Sequence, residues 1–224
     1  MKRKALVIGA TGATGKALVA FLNENPLYER INLLHYRETG MAEGVKIVEY
    51  IHSFDDIMSF RLESVDDVFC CLGSTMKKAG SEEEFAKVDK DYVIEIGKWA
   101  KIEQVNSFHV ISYLGANSRS SVFYNRVKGE MEEELINLNL SRLYIYHPPI
   151  LKAKRKEFRL GEFIGLGVFT VLSPFMFGGL KKHIPLAVEK MALSMMNNAL
   201  HSVKGVHIVT SEEMQEGKEM EDRS

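Results

Sequence analysis

The sequence predicts an α/β fold: a three-layer, doubly wound parallel sheet with helices on both faces, completed by a small C-terminal region on the substrate side. Three observations predict it. Short apolar runs alternate with longer stretches of helical periodicity along the chain. The first of these runs leads straight into Gly9-Ala10-Thr11-Gly12-Ala13-Thr14-Gly15, a glycine-rich turn placed to join strand to helix. The 224 residues, 46% apolar and 26% charged, suit one domain with one sizeable core.

Taken in order, residues 5–9 read as a first strand and residues 15–25 as a helix with Leu18, Phe21 and Leu22 on one face. Residues 31–36, 45–50, 68–72, 108–112 and 143–146 read as five further strands, and residues 206–210 add a late one. Two later helices are well marked. Ser81 with Glu84 forms a capping box ahead of Phe85, Val88, Tyr92, Ile96 and Trp99 at helical spacing. Val127, Met131, Leu135 and Leu138 give the second stripe, with Tyr124 and Lys128 at its start. Residues 1–211 are expected to form one domain, of which about 150–205 contribute a lid over the substrate. The acidic residues 212–224 are expected to be a disordered tail.

Composition excludes several functions. A net charge of −1 gives no global attraction to nucleic acid or to anionic membrane. The two cysteines, Cys70 and Cys71, are neighbours in an apolar run, which offers neither a disulfide framework nor metal spacing and suits a buried strand in a reducing compartment. Met1-Lys2-Arg3-Lys4 and residues 5–8 look like the start of a signal peptide, but Gly9, Thr11 and Gly12 interrupt the apolar run after four residues. A cytoplasmic protein is the expectation. The histidines at 35, 52, 109, 147, 183, 201 and 207 show no ligand spacing, so no metal is assigned.

The glycine turn carries the first chemistry. Gly9, Gly12 and Gly15 permit a tight turn and let the backbone approach a pyrophosphate. The helix behind them presents free N–H groups and the positive end of its dipole. The spacing is G-x-x-G-x-x-G, distinct from the commoner G-x-G-x-x-G. Roughly 20 residues further on, the second strand should end beside the adenosine ribose. The chain there reads His35-Tyr36-Arg37-Glu38. Arg37 matches a 2′-phosphate and favours NADP(H); Glu38 keeps NAD(H) open, since a carboxylate would bind the ribose hydroxyls.

Tyr124 and Lys128 carry the second. They lie one helical turn apart, so phenol and ammonium share a face. A nearby ammonium should lower the phenol from its usual value near 10 and suit it to proton transfer as hydride reaches a carbonyl carbon. Ser112, ending the fifth strand, would hydrogen-bond the same oxygen. A solvated helix-surface pair is the plain alternative.

Together these residues resemble the short-chain dehydrogenase/reductase superfamily in its atypical NADP-binding branch, and within it the Tat-interacting-protein family of oxidoreductase-like proteins. The resemblance covers roughly residues 4–205 and rests on the glycine turn, Phe69-Cys70-Cys71-Leu72-Gly73-Ser74-Thr75, Lys78-Ala79-Gly80, Val88-Asp89-Lys90-Asp91-Tyr92-Val93, Leu114-Gly115-Ala116 and the segment from Tyr124 through Val127-Lys128-Gly129-Glu130. It implies a Rossmann fold, with Thr11, Gly12, Ala13 and Thr14 on the cofactor phosphates, Arg37 on the 2′-phosphate, and Leu72 and Gly73 on the adenosine side. It implies Tyr124 as catalytic acid/base, Lys128 on the nicotinamide ribose, and Arg155 within reach of the phosphates. The chain departs from the pattern in three places. Tyr113 follows Ser112 where relatives have a second serine, His147-Pro148-Pro149 stands in place of Arg-Pro-Gly, and Tyr36-Arg37 replaces a pair of arginines.

Residues 163–180 carry no charge, yet Gly165, Gly167, Ser173-Pro174, Gly178 and Gly179 argue against a membrane-spanning helix. A lid over the substrate ranks first for this stretch, a homodimer face second, and peripheral membrane contact third, the last helped by Lys152, Lys154, Arg155 and Lys156. Two functions follow: an NADPH-dependent oxidoreductase reducing a carbonyl of a small, partly apolar substrate, or an NADPH-binding regulatory or scaffold protein with little or no catalysis.

Overall fold

The first strand already dictates a covered sheet. In β1 (Arg3–Ile8), Ala5 and Val7 point to one face and Leu6 and Ile8 to the other, and all four are fully buried. The structure, a computed structural model, describes residues 2–42, 44–149, 151–152, 185–201 and 203–216. After β1 come α1 (Ala13–Glu24), β2 (Tyr28–His35), β3 (Ile47–Ile51), a 3₁₀ turn (Phe54–Ser59) and β4 (Asp67–Cys70). Then follow α2 (Met76–Ala79), α3 (Glu82–Ala86), a π turn (Lys87–Asp91), α4 (Tyr92–Ile102), β5 (Ser107–Ile111) and α5 (Phe123–Asn137). The chain continues through β6 (Arg142–Tyr146), β7 (Leu151–Lys152), β8 (Leu186–Ala187), α6 (Val188–Leu200), β9 (Gly205–Val209) and α7 (Ser211–Glu216).

Seven described strands form one parallel sheet in the order β3-β2-β1-β4-β5-β6-β9. The chain winds outward from β1 to β3, then returns to lay β4 against the other side of β1. Strand order therefore reverses between β1 and β4, and a crevice opens beyond their C-terminal ends. One core holds Ala5, Val7, Leu18, Leu22, Phe69 and Met195 beneath α1 and α6; the other holds Leu6, Ile8, Val68, Phe108, Trp99 and Met131 beneath α4 and α5. This is the expected three-layer architecture.

A buried polar chain runs through the α1 side of the sheet. Arg3 clasps Asp67 through Nε (2.7 Å) and Nη2 (2.5 Å), and Tyr28 donates to the same carboxylate at 2.9 Å. Ser107 Oγ donates to Asp67 at 2.7 Å and lies 2.8 Å from His109 Nε2, while His109 Nδ1 lies 3.0 Å from the Tyr146 hydroxyl. His109 is also stacked between Phe69 and Tyr144, its register partners on the neighbouring strands, at centroid distances of 4.9 and 4.7 Å.

Three segments differ from expectation. The helix capped by Ser81, whose Oγ accepts the Glu84 N–H at 3.1 Å, is interrupted by the π turn before α4. Residues 188–200, placed in the lid region by sequence, form α6, whose Met191, Met195 and Ala199 are buried in the core beside α1. Residues 211–216 are helical, not a disordered tail. Thr210 and Glu213 cap α7 reciprocally, the Thr210 N–H donating to Glu213 Oε2 at 2.7 Å and the Glu213 N–H to Thr210 Oγ1 at 3.4 Å, and Met214 is buried. The basic cluster around Arg155, the uncharged residues 163–180 and residues 217–224 lie outside the described residues. Among the described residues, no helix is long and apolar enough to cross a membrane.

Candidate functional site

The glycine turn is shaped by its neighbours. Gly9 has φ +79°, a left-handed conformation, and a Cβ there would meet the Cys71 carbonyl oxygen at 2.5 Å. A Cβ at Gly15 would collide with the Gly9 carbonyl. Gly12 accepts the first helical bond of α1 from the Lys16 N–H at 2.9 Å, and its own N–H donates to Gly9 O at 3.0 Å. No side chain caps α1 and no acidic residue stands in its first turn. The backbone N–H groups and the dipole therefore face the crevice unshielded.

The crevice is an open cleft of about 750 Å³ at the β1/β4 reversal. Gly9, Thr11, Gly12 and Ala13 line one side, Leu72 and Gly73 the β4 side, and Val188 and Glu189 of α6 the rim. Thr14 and Gly15 are buried beneath it. Lys16 and Lys78 also line it, and their ammonium groups have no ion pair or hydrogen bond among the described residues. Six residues expected on a cofactor, Gly9, Thr11, Gly12, Ala13, Leu72 and Gly73, thus converge on one cavity, whereas Tyr124, Lys128 and Ser112 are not among the residues lining it. Arg37 stands apart: it is exposed beyond the end of β2, its guanidinium 5.3 Å from the Tyr36 ring centroid, and it is not among the residues lining the cleft. Arg155 lies outside the described residues.

Tyr124 opens α5 inside an aromatic group. Its ring lies 5.3 Å from Phe85 and 5.1 Å from Tyr113, edge-on to the latter. Lys128, one turn on, is buried, and its Nζ lies 2.8 Å from Asp89 Oδ1. Asp89 Oδ2 accepts the Ser74 N–H at 2.7 Å, so one carboxylate ties α5 to the loop after β4. The expectation that Lys128 depresses Tyr124 is corrected by this pair. Burial, the Asp89 carboxylate and the Tyr113 phenol push Tyr124 up to about 12. The ammonium is matched by a carboxylate and no longer acts on the phenol as an isolated cation.

The Ser112 hydroxyl, expected to bond the same substrate oxygen as Tyr124, has a carboxylate partner of its own. Ser112 is buried, and its hydroxyl donates to Glu132 Oε1, which also lies 2.9 Å from His147 Nε2. Glu132 is two helical turns past Tyr124, about 12 Å along the axis. Side chains alternate along an extended segment, and it is Tyr113 that meets Tyr124.

Sequence reasoning missed four polar groups: Asp89, Glu132, Lys16 and Lys78. Asp89 had a signal. It falls four residues after Phe85 and three before Tyr92, so a carboxylate interrupts the buried stripe of a helix. Lys16 had none, because a lysine one step past a glycine turn reads as a surface charge, and Lys78 stood in the Lys78-Ala79-Gly80 motif of the resemblance, which gave it no role.

Comparisons with known proteins agree with this architecture. Residues 4–115 match the family model of the semialdehyde dehydrogenase NAD binding domain. Protein HTATIP2 of Rattus norvegicus is 29% identical over 207 residues, spanning 91% of this chain and 84% of that one. Protein FMP52-1, mitochondrial, of Scheffersomyces stipitis is 30% identical over 181 residues, spanning 78% and 80%. Among solved structures, MoeE5 in complex with UDP-glucose and NAD superposes with a TM-score of 0.66 at 13% identity, over 94% of this chain and 79% of that one. The human epimerase family protein SDR39U1 with NADPH superposes at 0.61 and 15% identity, over 92% and 74%. Likeness at these identities shows the shared fold.

The expectation of a cytoplasmic protein does not stand. Relatives in Scheffersomyces stipitis, Debaryomyces hansenii, Candida albicans and Aspergillus fumigatus are all named mitochondrial. An interrupted apolar run and unpaired cysteines, the grounds for that expectation, do not distinguish cytosol from mitochondrion. With the glycine turn, the reversal-point cleft and these relatives together, the chain belongs to the HTATIP2/FMP52 family, an atypical NAD(P)-binding branch of the short-chain dehydrogenase/reductase superfamily.

Proposed function

We propose that this protein is an NADPH-dependent oxidoreductase that reduces a carbonyl of a small, partly apolar substrate, with Tyr124 as the proton donor. The observation that carries this reading is the uncapped N-terminus of α1 above Gly9 and Gly15, opening into a cleft of about 750 Å³ that also holds two lysines unpaired among the described residues. Side chains at residues 9 or 15 would collide with the Cys71 and Gly9 carbonyls and force the turn out of the shape in which its N–H groups face the cleft, so the residues present fit a dinucleotide. NADPH, when bound, supplies the hydride. Thr11, Gly12 and Ala13 would hold the phosphates, with Thr14 and Gly15 shaping the floor, and Leu72 and Gly73 would face the adenosine side. Arg37, which has no carboxylate partner among the described residues, is left to meet a 2′-phosphate. Arg155 is proposed to add to the phosphate contacts.

Tyr124 sets the direction. A phenol pushed up to about 12 is fully protonated near neutral pH, so it gives a proton to a developing alkoxide and does not draw one from an alcohol. Lys128 would hold the nicotinamide ribose. Tyr113, in edge contact with Tyr124, is better placed than Ser112 to help polarise the substrate oxygen. The mitochondrial designation of the fungal relatives supports that compartment as the place of action.

A second reading, an NADPH-binding regulatory protein with little catalysis, is favoured by one specific observation: Lys128 and Ser112 are each committed to a carboxylate. One experiment separates the two. NADPH and NADH are titrated by fluorescence, and NADPH oxidation is followed over a panel of carbonyl compounds with the parent protein and Tyr124→Phe. The oxidoreductase reading expects tight NADPH binding by both proteins and a turnover loss of about 10²- to 10⁴-fold in the variant. Normal turnover by Tyr124→Phe refutes the role of Tyr124, and binding without oxidation supports the regulatory reading.

A further inference from the structure

We propose that Asp89 is a positioning residue that keeps Tyr124 a proton donor by neutralising Lys128, an inference that rests on the oxidoreductase reading above. Its place in the fold is unusual. The apolar periodicity of residues 85–99 asks for a core side chain at this position, and the helix instead turns through a π segment there. Asp89 is 1% exposed. A carboxylate that deep is costly unless paired and hydrogen-bonded. Both conditions are met, because Oδ1 lies 2.8 Å from Lys128 Nζ and Oδ2 accepts the Ser74 N–H at 2.7 Å. The carboxylate is thus held between two elements and has little freedom to leave Lys128.

The groups around this ammonium make Asp89 decisive. Cys70 of β4 senses it and Asp89 meets it from the π turn, while Tyr124 stands one turn before it on α5, in edge contact with Tyr113. Burial pushes the Cys70 thiol and the Tyr124 phenol each up to about 12, so both are neutral near pH 7. Among these groups, Asp89 alone carries a charge opposite to that of Lys128. An unpaired buried ammonium one helical turn from Tyr124 would favour the phenolate. Paired with Asp89 it does not, and the carboxylate itself disfavours the phenolate. The ion pair fixes which half of a proton-transfer cycle Tyr124 is ready for. Reduction needs the phenol, and oxidation of an alcohol needs the phenolate.

The test reads Tyr124 directly and needs neither cofactor nor substrate. Protein carrying 13Cζ-labelled tyrosine is titrated with base and followed by NMR, with the Tyr124 resonance assigned by its loss in Tyr124→Phe. In Asp89→Asn, whose amide oxygen still accepts the Ser74 N–H, the Tyr124 midpoint should fall by about one pH unit or more, a tenfold or greater rise in phenolate at fixed pH. Should that variant fail to fold around an unmatched Lys128, Lys128→Met is compared with Asp89→Asn/Lys128→Met. Only the Asp89 charge separates those two, and the midpoint should lie about one unit higher in the single variant. Asp89→Glu should restore the parent midpoint. An unchanged midpoint in either comparison overturns the proposal. Lack of turnover in the parent protein would defeat the oxidoreductase reading while leaving this titration fully readable.

Discussion

Acidification from pH 8 to pH 5 should cost the protein about 2 kcal/mol of stability through His109 alone. The imidazole is wholly buried in β5, stacked between Phe69 and Tyr144. Its tautomer follows from its neighbours. Ser107 gives its one hydroxyl proton to Asp67, so His109 must donate to Ser107 through Nε2–H; Nδ1 then accepts from the Tyr146 hydroxyl, whose oxygen receives Asn198 Nδ2 at 3.2 Å. A second proton on Nδ1 would force the Tyr146 hydroxyl to turn its own proton away and would place a charge in the core. Burial, helped by Arg3 and then His207, lowers this histidine to about 3 from the ordinary 6.5. The folded state thus refuses a proton that the unfolded chain takes up below pH 6.5. Stability is complete above that value and declines as pH falls toward 3. At pH 5 the loss is 1.5 pH units at about 1.4 kcal/mol each, or about 2 kcal/mol. Urea unfolding at pH 8, 6.5 and 5 measures it, with His109→Gln as control. Glutamine donates and accepts in the same two directions without titrating, and it loses the ring stacking, worth roughly 1–2 kcal/mol at pH 8. The gap between the two proteins should close by about 2 kcal/mol at pH 5, since every other titrating group is common to both. Parallel loss of stability in the two would refute the reasoning.

Two further expectations concern the cleft. Gly15→Ala drives a Cβ into the Gly9 carbonyl, so the turn must open; fluorescence titration should show dinucleotide affinity falling about tenfold or more, and an unchanged Kd would mean that the turn is not the diphosphate cradle. Arg37→Ala should weaken NADPH about tenfold and leave NADH untouched, whereas Lys78→Ala should weaken both equally and flatten their salt dependence. Equal loss of both dinucleotides in Arg37→Ala would remove that arginine from the 2′-phosphate.

The strands and the phosphate turn were legible because their causes are local. Residues 5–8 are apolar on both faces and run into glycines, and nothing distant is needed to read a covered strand followed by a tight turn. Residues 45–50 show the limit: Val45 looked like a strand residue yet is fully exposed, because β3 is an edge strand and begins at Ile47. Helix α6 was missed because Met191, Met195 and Met196 are a weak stripe beside the long uncharged segment, and its role is set by docking on α1. The site was legible in part for the same reason. Tyr124 and Lys128 share a helix, so their spacing is visible; Asp89 and Glu132 reach their partners across elements, 39 and 20 residues away in sequence, where no local pattern points.

Those two carboxylates bear on what the site can do. An isolated Tyr-Lys pair is poised for either direction of hydride chemistry, since the cation makes phenol and phenolate comparable in energy. Here Asp89 holds the cation, and Glu132 holds the hydroxyl of Ser112, whose single proton points away from Tyr124. Ser112 can donate to a substrate oxygen only by leaving Glu132, and that would strand a carboxylate only 12% exposed with His147 as its remaining partner. On the oxidoreductase reading, polarisation of a carbonyl thus falls to the hydroxyls of Tyr124 and its edge-on neighbour Tyr113, each of which has a proton to donate. If the proposed oxidoreductase reading holds, a site so arranged is ready to give a proton from Tyr124 and is suited to reduction. Raising pH should therefore slow reductive turnover only where Tyr124 begins to ionise, far above neutrality, and a rate that falls between pH 7 and pH 9 would place the essential acid on a different side chain.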